Sequence, residues 1–221
     1  MAITPALVAG LAGYLVGAVP VGYLTVRLAK GVDIRDYGTG NPGTANVYRN
    51  IGLGWALLVA AGTVLQGFGP PLIVRLAGQP QAAVVASGVG AAVGYGWPVF
   101  TRFRGGKAVA VASGAVAGVY GLVLAELLIF YLAGLAMRRI ALGVVVGFAL
   151  LPIVVALLGA SAADRWGAVV LLVVLLLRRL DGISQDPPQG ALARRVLDRL
   201  VFDQAPGQSL VGQRRQKDAS G

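Results

Sequence analysis

The chain has 221 residues, of which 57% are hydrophobic and only 13% charged, with no cysteine, no histidine and a net charge of +10. Its apolar surplus exceeds what one soluble core of this size needs, so an integral membrane protein is expected. Without thiols or imidazoles there are no disulfides, no usual zinc sites and no Ser-His or Cys-His pairs, so no metal or cofactor is expected.

Apolar runs place spans near residues 4–28, 52–76, 80–97, 107–119, 121–137, 140–159 and 163–178. The opening MAITPALVAG carries no basic residue before its apolar run, unlike a secretory signal, so Ile3 to Leu28 reads as a retained first span. Lys107 to Met137 is long for one crossing and short for two, with AGVYG as its break. Charge decides the count. Seven spans with the N-terminus outside put Arg27, Lys30, Arg35, Arg49, Arg102, Arg104, Lys107, Arg138, Arg139 and the basic tail on the cytoplasmic side, leaving Arg75 and Arg165 outside. Most of the net charge is therefore topogenic, and no nucleic acid partner is expected.

The expected architecture is an all-α polytopic helix bundle of about seven transmembrane helices, a membrane domain over 1–180 with a cytoplasmic basic tail over 181–221. Gly13 and Gly17, like Gly90 and Gly94, are four apart, which suits close helix packing. Pro20 and Pro152 are expected to kink their spans. In the tail, Leu192, Val196, Leu197 and Leu200 have helical spacing between basic residues, which fits either a surface-lying amphipathic helix on anionic lipid or a solubilising tail.

Two polar loops fall on one face. In DIRDYGTGNPGTANVYRNIG, Gly38, Gly40 and Gly43 free the backbone for close approach to a ligand. Thr39, Asn41, Thr44 and Asn46 bring neutral hydrogen-bonding groups, and Arg35 and Arg49 bring planar donors that suit phosphate or carboxylate. In GYGWPVFTRFRGGKA, Gly105, Gly106 and Lys107 stand at the entrance to an apolar helix, where backbone N–H groups and the dipole favour phosphate. The spacing is not that of a nucleotide-binding P-loop. Alone, the GGK run reads first as a tight turn with a snorkelling lysine; paired with the first loop it reads as half of an anion site.

The two loops together resemble the bacterial acyl-phosphate-dependent glycerol-3-phosphate acyltransferase family, whose motifs have the forms DIR..GSGN.GATNV.R..G and GH.FPVF..FKGGKG. The resemblance covers about residues 10–180. It implies a seven-span plasma-membrane enzyme that moves a fatty acyl group from acyl phosphate to glycerol 3-phosphate, giving lysophosphatidic acid in phospholipid biosynthesis. It further implies ligand-contacting roles for Thr39, Asn41, Asn46, Arg49, Arg104, Gly105, Gly106 and Lys107. Such a donor brings its own leaving group, so the protein has chiefly to hold two phosphates, orient a hydroxyl and stabilise an oxyanion.

The chain departs from the family in three places. Tyr95 replaces the family's histidine, Thr63 and Gln66 replace a charged pair of the form D..KG, and the third motif keeps only Arg178 and Gly182, with Leu172, Leu175 and Ser184 at its His, Asn and Glu positions. Catalysis is then expected to rest on Thr39, Asn41, Arg49 and Lys107, with the substrate's own phosphate accepting a proton. Tyr95 is either a proton donor or a packed aromatic. Two other readings stay open at this stage: a family member that binds a phosphorylated lipid without turnover, and a small transporter motivated by Gln66, Ser87, Ser113 and Glu126.

Overall fold

The computed structural model describes residues 3–181 and 192–201, which are helical with no strand among them. The helices in chain order are α1 (Ile3–Ala18), α2 (Val21–Lys30), α3 (Thr44–Asn50), α4 (Leu53–Leu76), α5 (Gln81–Gly96), α6 (Val109–Tyr120), α7 (Leu124–Ala136), α8 (Ile140–Leu157), α9 (Ala162–Leu180) and α10 (Leu192–Val201). Five stretches are long and apolar enough to cross a membrane: Thr4–Lys30, Leu53–Leu76, Gln81–Thr101, Val109–Ala136 and Ile140–Leu157.

The fourth of these is not one rod. The chain reverses at Gly121, whose φ of +59° is costly for residues with a Cβ. The Tyr131 hydroxyl on α7 then meets Ser113 Oγ on α6 at 2.6 Å, whereas a continuous helix would hold these residues about 27 Å apart. The break expected at AGVYG is thus a hairpin turn. α9 keeps an apolar middle and carries its charges at its ends, Asp164 and Arg165 in the first turn and Arg178 and Arg179 in the last.

Pro20 separates α1 from α2, as expected of a residue with no N–H to donate. At this break Val16 O accepts from Val19 N at 3.3 Å and Val19 O from Val21 N at 2.9 Å, and Gln66 Nε2 of α4 donates to the same two carbonyls at 2.8 Å and 2.7 Å. Pro152 lies inside α8, which runs on across it, and α4 likewise runs through Pro70 and Pro71.

α1 and α5 pack backbone to backbone. A Cβ added at Gly13 or Gly17 would overlap the carbonyls of Ser87 and Ala91, and one added at Gly90 or Gly94 would overlap those of Gly10 and Tyr14. The four glycines therefore interdigitate, the contact that small residues permit in a membrane. Phe148, Leu127, Leu151, Leu171 and Leu175 form the centre of the main core on α7, α8 and α9.

One end of the bundle is tied by Asp164. Its carboxylate closes a capping box with Ser161 and accepts from Gln81 Nε2 at 2.7 Å, while its carbonyl accepts from the Tyr120 hydroxyl at 2.8 Å. At that same end Arg75 donates to Val119 O at 2.5 Å. The two glycine-rich loops lie at the opposite end. There Leu192–Val201 forms α10, and Arg199 donates to Asp181 O at 2.6 Å. The rest of the tail, including Gly182 and Ser184, lies outside the described residues.

Candidate active site

The first loop is organised by Asn46, which is buried. Its Nδ2 donates to Tyr37 O at 2.9 Å and Ile34 O at 3.3 Å, while Oδ1 accepts from Thr39 N at 3.1 Å and Asn50 Nδ2 at 3.0 Å. This side chain is thus fully used in holding the loop. Gly38 (φ +57°) lies directly over it, where a Cβ would overlap Asn46 Oδ1. Asn41 Oδ1 accepts from Gly43 N at 3.0 Å, an Asx turn that leaves the Asn41 amide donors available. The short helix α3 follows and carries Arg49, which has no hydrogen bond or ion pair among the described residues.

Arg35 is engaged differently. Its guanidinium forks onto the Asp33 carboxylate, the shortest contact being 2.6 Å, and lies over the Tyr23 ring at 4.7 Å. The side-chain hydrogen bond from Arg35 holds the Asp33 carboxyl below its usual range, against a smaller opposing effect of burial.

The second loop closes on Tyr95. Gly106 N donates to Tyr95 O at 3.3 Å, and a Cβ on Gly106 would come within 2.5 Å of Tyr95 Cε1 and 2.9 Å of its hydroxyl. Arg102, Phe103 and Ala108 all have positive φ, at 53°, 63° and 60°, so this loop stores backbone strain beside Lys107. From α9, Arg178 donates through Nε to Gly106 O at 3.0 Å and through Nη2 to Gly105 O at 2.8 Å. It also pairs with Asp181 at 2.6 Å and lies over the Trp97 ring at 5.3 Å.

Thr39, Asn41, Gly43, Asn46, Arg49, Tyr95 and Lys107 all line one cavity of about 500 Å³. From this polar mouth the cavity continues along Val109, Ala110, Ser113 and Ala117 of α6, Val64 of α4 and Leu124, Leu128 and Tyr131 of α7. Such a space fits an amphiphile with an anionic head and a long apolar tail. Arg35, Gly40, Arg104 and Gly105 instead line a separate polar depression with Asp33, Asp36 and Arg102. Gly38 lines neither of these two, and Gly106 is packed under Tyr95.

Sequence reasoning did not give Arg178 a part in the site, nor Ser113 and Tyr131 a place in the cavity wall. Arg178 was visible only as a remnant of a third motif. The polar residues that motivated a transporter are spent on backbone carbonyls: Gln66 on Val16 and Val19, Ser87 on Val84 at 2.7 Å, and Ser113 on Val109 at 2.9 Å. Glu126 differs, its carboxylate oxygens being buried without a hydrogen-bond partner among the described residues.

The sequence matches the family model for glycerol-3-phosphate acyltransferase over residues 7–185. It is 40% identical over 154 residues to the glycerol-3-phosphate acyltransferase of Desulforudis audaxviator, covering 69% of this chain and 77% of that one. Its fold is similar to the crystal structure of PlsY (YgiH), an integral membrane glycerol 3-phosphate acyltransferase, in its glycerol 3-phosphate form. The TM-score is 0.73 at 28% identity, with 86% of this chain and 98% of that chain covered. The lysophosphatidic acid form of that protein gives a TM-score of 0.72 at 27% identity, covering 87% and 98%. A multi-pass membrane bundle with both glycine loops intact and a match spanning most of its length, this chain belongs to the glycerol-3-phosphate acyltransferase family.

Proposed function

We propose that the protein transfers a fatty acyl group from acyl phosphate to a hydroxyl of glycerol 3-phosphate, releasing lysophosphatidic acid and inorganic phosphate for phospholipid synthesis. The observation that carries this reading is the single cavity that joins Lys107, Arg49, Thr39 and Asn41 to an apolar wall between α4, α6 and α7. The fatty chain lies against that wall, and the acyl carbonyl and its phosphate sit at the polar mouth. The glycerol hydroxyl oxygen attacks the carbonyl carbon, the bond to the phosphate oxygen breaks, and the hydroxyl proton passes to a substrate phosphate. Lys107 and Arg49 hold the phosphates as charge shifts to the leaving group. Thr39 and the Asn41 amide orient the attacking hydroxyl. Tyr95, buried between the two loops, keeps them in register where the family's motif has a histidine.

The same reading puts the two glycine loops on the cytoplasmic face of the plasma membrane, with seven crossings and the N-terminus outside. The support is the distribution of charge, because among the described residues the loop end of the bundle carries Arg35, Arg49, Arg102, Arg104, Lys107 and Arg178, while Arg75 and Arg165 belong to the other end. A reporter fused after Gly182 that is active only in the periplasm would overturn this orientation.

The activity is tested on purified protein given palmitoyl phosphate and glycerol 3-phosphate, following phosphate release and lipid product beside a Lys107→Ala variant. Turnover that the variant loses supports the reading; a folded wild type that makes no lysophosphatidic acid sinks it.

A further inference from the structure

Two hydroxyls stand in the otherwise apolar part of the cavity. Ser113 on α6 and Tyr131 on α7 both line it, with their oxygens 2.6 Å apart, and Ser113 Oγ donates to Val109 O at 2.9 Å. A serine has one proton to give, so Tyr131 is the donor to Ser113. The relay from Tyr131 through Ser113 to Val109 leaves neither hydroxyl proton facing hydrocarbon. It also fixes how far α7 stands from α6, because a hydrogen bond tolerates little change in length.

The position of this pair gives it a consequence for the ligand. Ser113 lies about 6 Å along α6 from Val109, beside Lys107, and Ala117 lies about 12 Å along. The hairpin turn at Gly121 runs α7 back in the opposite sense, so Leu128 and then Leu124 lie beyond Tyr131, with Ala117, on the side away from Lys107. A fatty chain whose head is held at Lys107 therefore passes the tyrosine ring before it reaches the far part of the cavity.

We propose that the Tyr131–Ser113 pair determines acyl-chain length, by pinning α7 to α6 at mid-cavity and bounding with the Tyr131 ring the space the chain fills. This rests on the acyltransferase reading above, with the fatty chain in this cavity. Tyr131→Ala removes the ring and shifts preference towards longer donors. Ser113→Leu pushes a larger group into the same space and shifts it towards shorter ones. Tyr131→Phe keeps the ring but unties the helices, which blunts discrimination in both directions. A pair with a merely structural role would lower the rate with every donor alike.

The test compares lauroyl, myristoyl, palmitoyl and stearoyl phosphate as donors for wild type and the three variants. It is run beside thermal protection of each protein by lysophosphatidates of the same chain lengths, a readout that needs no turnover. The expected result is a change of about tenfold in the stearoyl-to-lauroyl ratio of kcat/KM, in opposite directions for Tyr131→Ala and Ser113→Leu. Protection is expected to shift in the same sense. Turnover with wild-type ratios in both variants overturns the proposal and leaves the acyltransferase reading standing. Absence of turnover with every donor, but with chain-length-dependent protection that moves in the variants, overturns the catalytic reading and keeps the proposal. Where Tyr131→Ala does not fold, Ser113→Leu and Tyr131→Phe decide the matter on the same ratios.

Discussion

Arg178 Nη2 donates to the carbonyl of Gly105 at 2.8 Å, across 73 positions of sequence. Its Nε holds the next carbonyl, that of Gly106, at 3.0 Å. With both carbonyls turned towards α9, the orientation of the peptide groups leading to Lys107 is set from outside the loop. Arg178 is therefore a positioning residue, placed by its stacking on Trp97 and its pairing with Asp181.

Arg178→Ala is expected to lower kcat/KM for glycerol 3-phosphate by tens to hundreds of fold, since hydrogen bonds from a charged donor contribute about 1.5–3 kcal/mol each. Arg178→Lys keeps the charge but reaches only one carbonyl at a time, so it should recover part of the loss. Steady-state kinetics on the three proteins, with circular dichroism to confirm the helices, check this. Equal activity in wild type and Arg178→Ala would show that the loop holds its own shape.

Gly106 and Tyr95 should behave as one unit. A methyl at 106 would come within 2.5 Å of the Tyr95 ring, closer than real carbon contacts, so Gly106→Ala must displace either the ring or the loop. A large loss of activity is expected from Gly106→Ala alone. In Tyr95→Ala/Gly106→Ala the clash is gone, and the loss should fall short of the sum of the single losses by about 1 kcal/mol or more. Strict additivity would show that Gly106 acts independently of the ring.

The transmembrane frame was legible because apolar runs bounded by polar loops are a strong signal. The expected 52–76, 80–97 and 140–159 match α4, α5 and α8 to within a few residues. Pro152 does not end α8, since neighbouring helices in a bundle let it continue across the proline. The short helix α3 was hidden in a run rich in glycine and asparagine, because its loop is stabilised by one amide, Asn46, and not by an apolar period. The site was legible as a pair of loops but not in its partition. Arg35 and Arg49 look alike in sequence, yet Asp33 captures the first and nothing described captures the second. The grip of Arg178 on Gly105 and Gly106 spans too many residues for any local pattern to reveal.

The Asp33–Arg35 fork makes a pH prediction outside the membrane. The folded pKa of Asp33 is lowered from 3.8, first by the Arg35 side-chain hydrogen bond. A depressed carboxylate contributes stability that is present above the unfolded pKa and is lost as pH falls through the folded value. Thermal melts of wild type and Asp33→Asn should therefore differ at pH 7 and converge below about pH 4. Both partners are partly exposed, so the difference at pH 7 should not exceed about 1 kcal/mol. A gap that persists unchanged into acid would show that Asp33 acts through its shape and not its charge.

Gln66 ties α4 to the break at Pro20. Its amide nitrogen caps Val16 O and Val19 O, while its Oε1 is buried with no partner among the described residues, so only its donors matter there. Each carbonyl also accepts a backbone N–H, from Val19 and Val21, so Gln66→Leu removes one of two partners from each, and a destabilisation of about 0.5–1.5 kcal/mol per lost hydrogen bond is expected. A lysine at this position, as the resemblance implies for the family, could donate equally well and loses no accepted bond. Alone, however, it would bury a charge beside Thr63, whose hydroxyl already donates to Val59 O at 2.7 Å. The double variant Thr63→Asp/Gln66→Lys should therefore be more stable than Gln66→Lys, because the carboxylate one turn away on α4 balances the ammonium. Thermal unfolding of the three variants in detergent measures the coupling. If Gln66→Lys proves as stable as the double variant, the capped carbonyls alone satisfy the charge, and this chain lost the charged pair without any need for the two positions to change together.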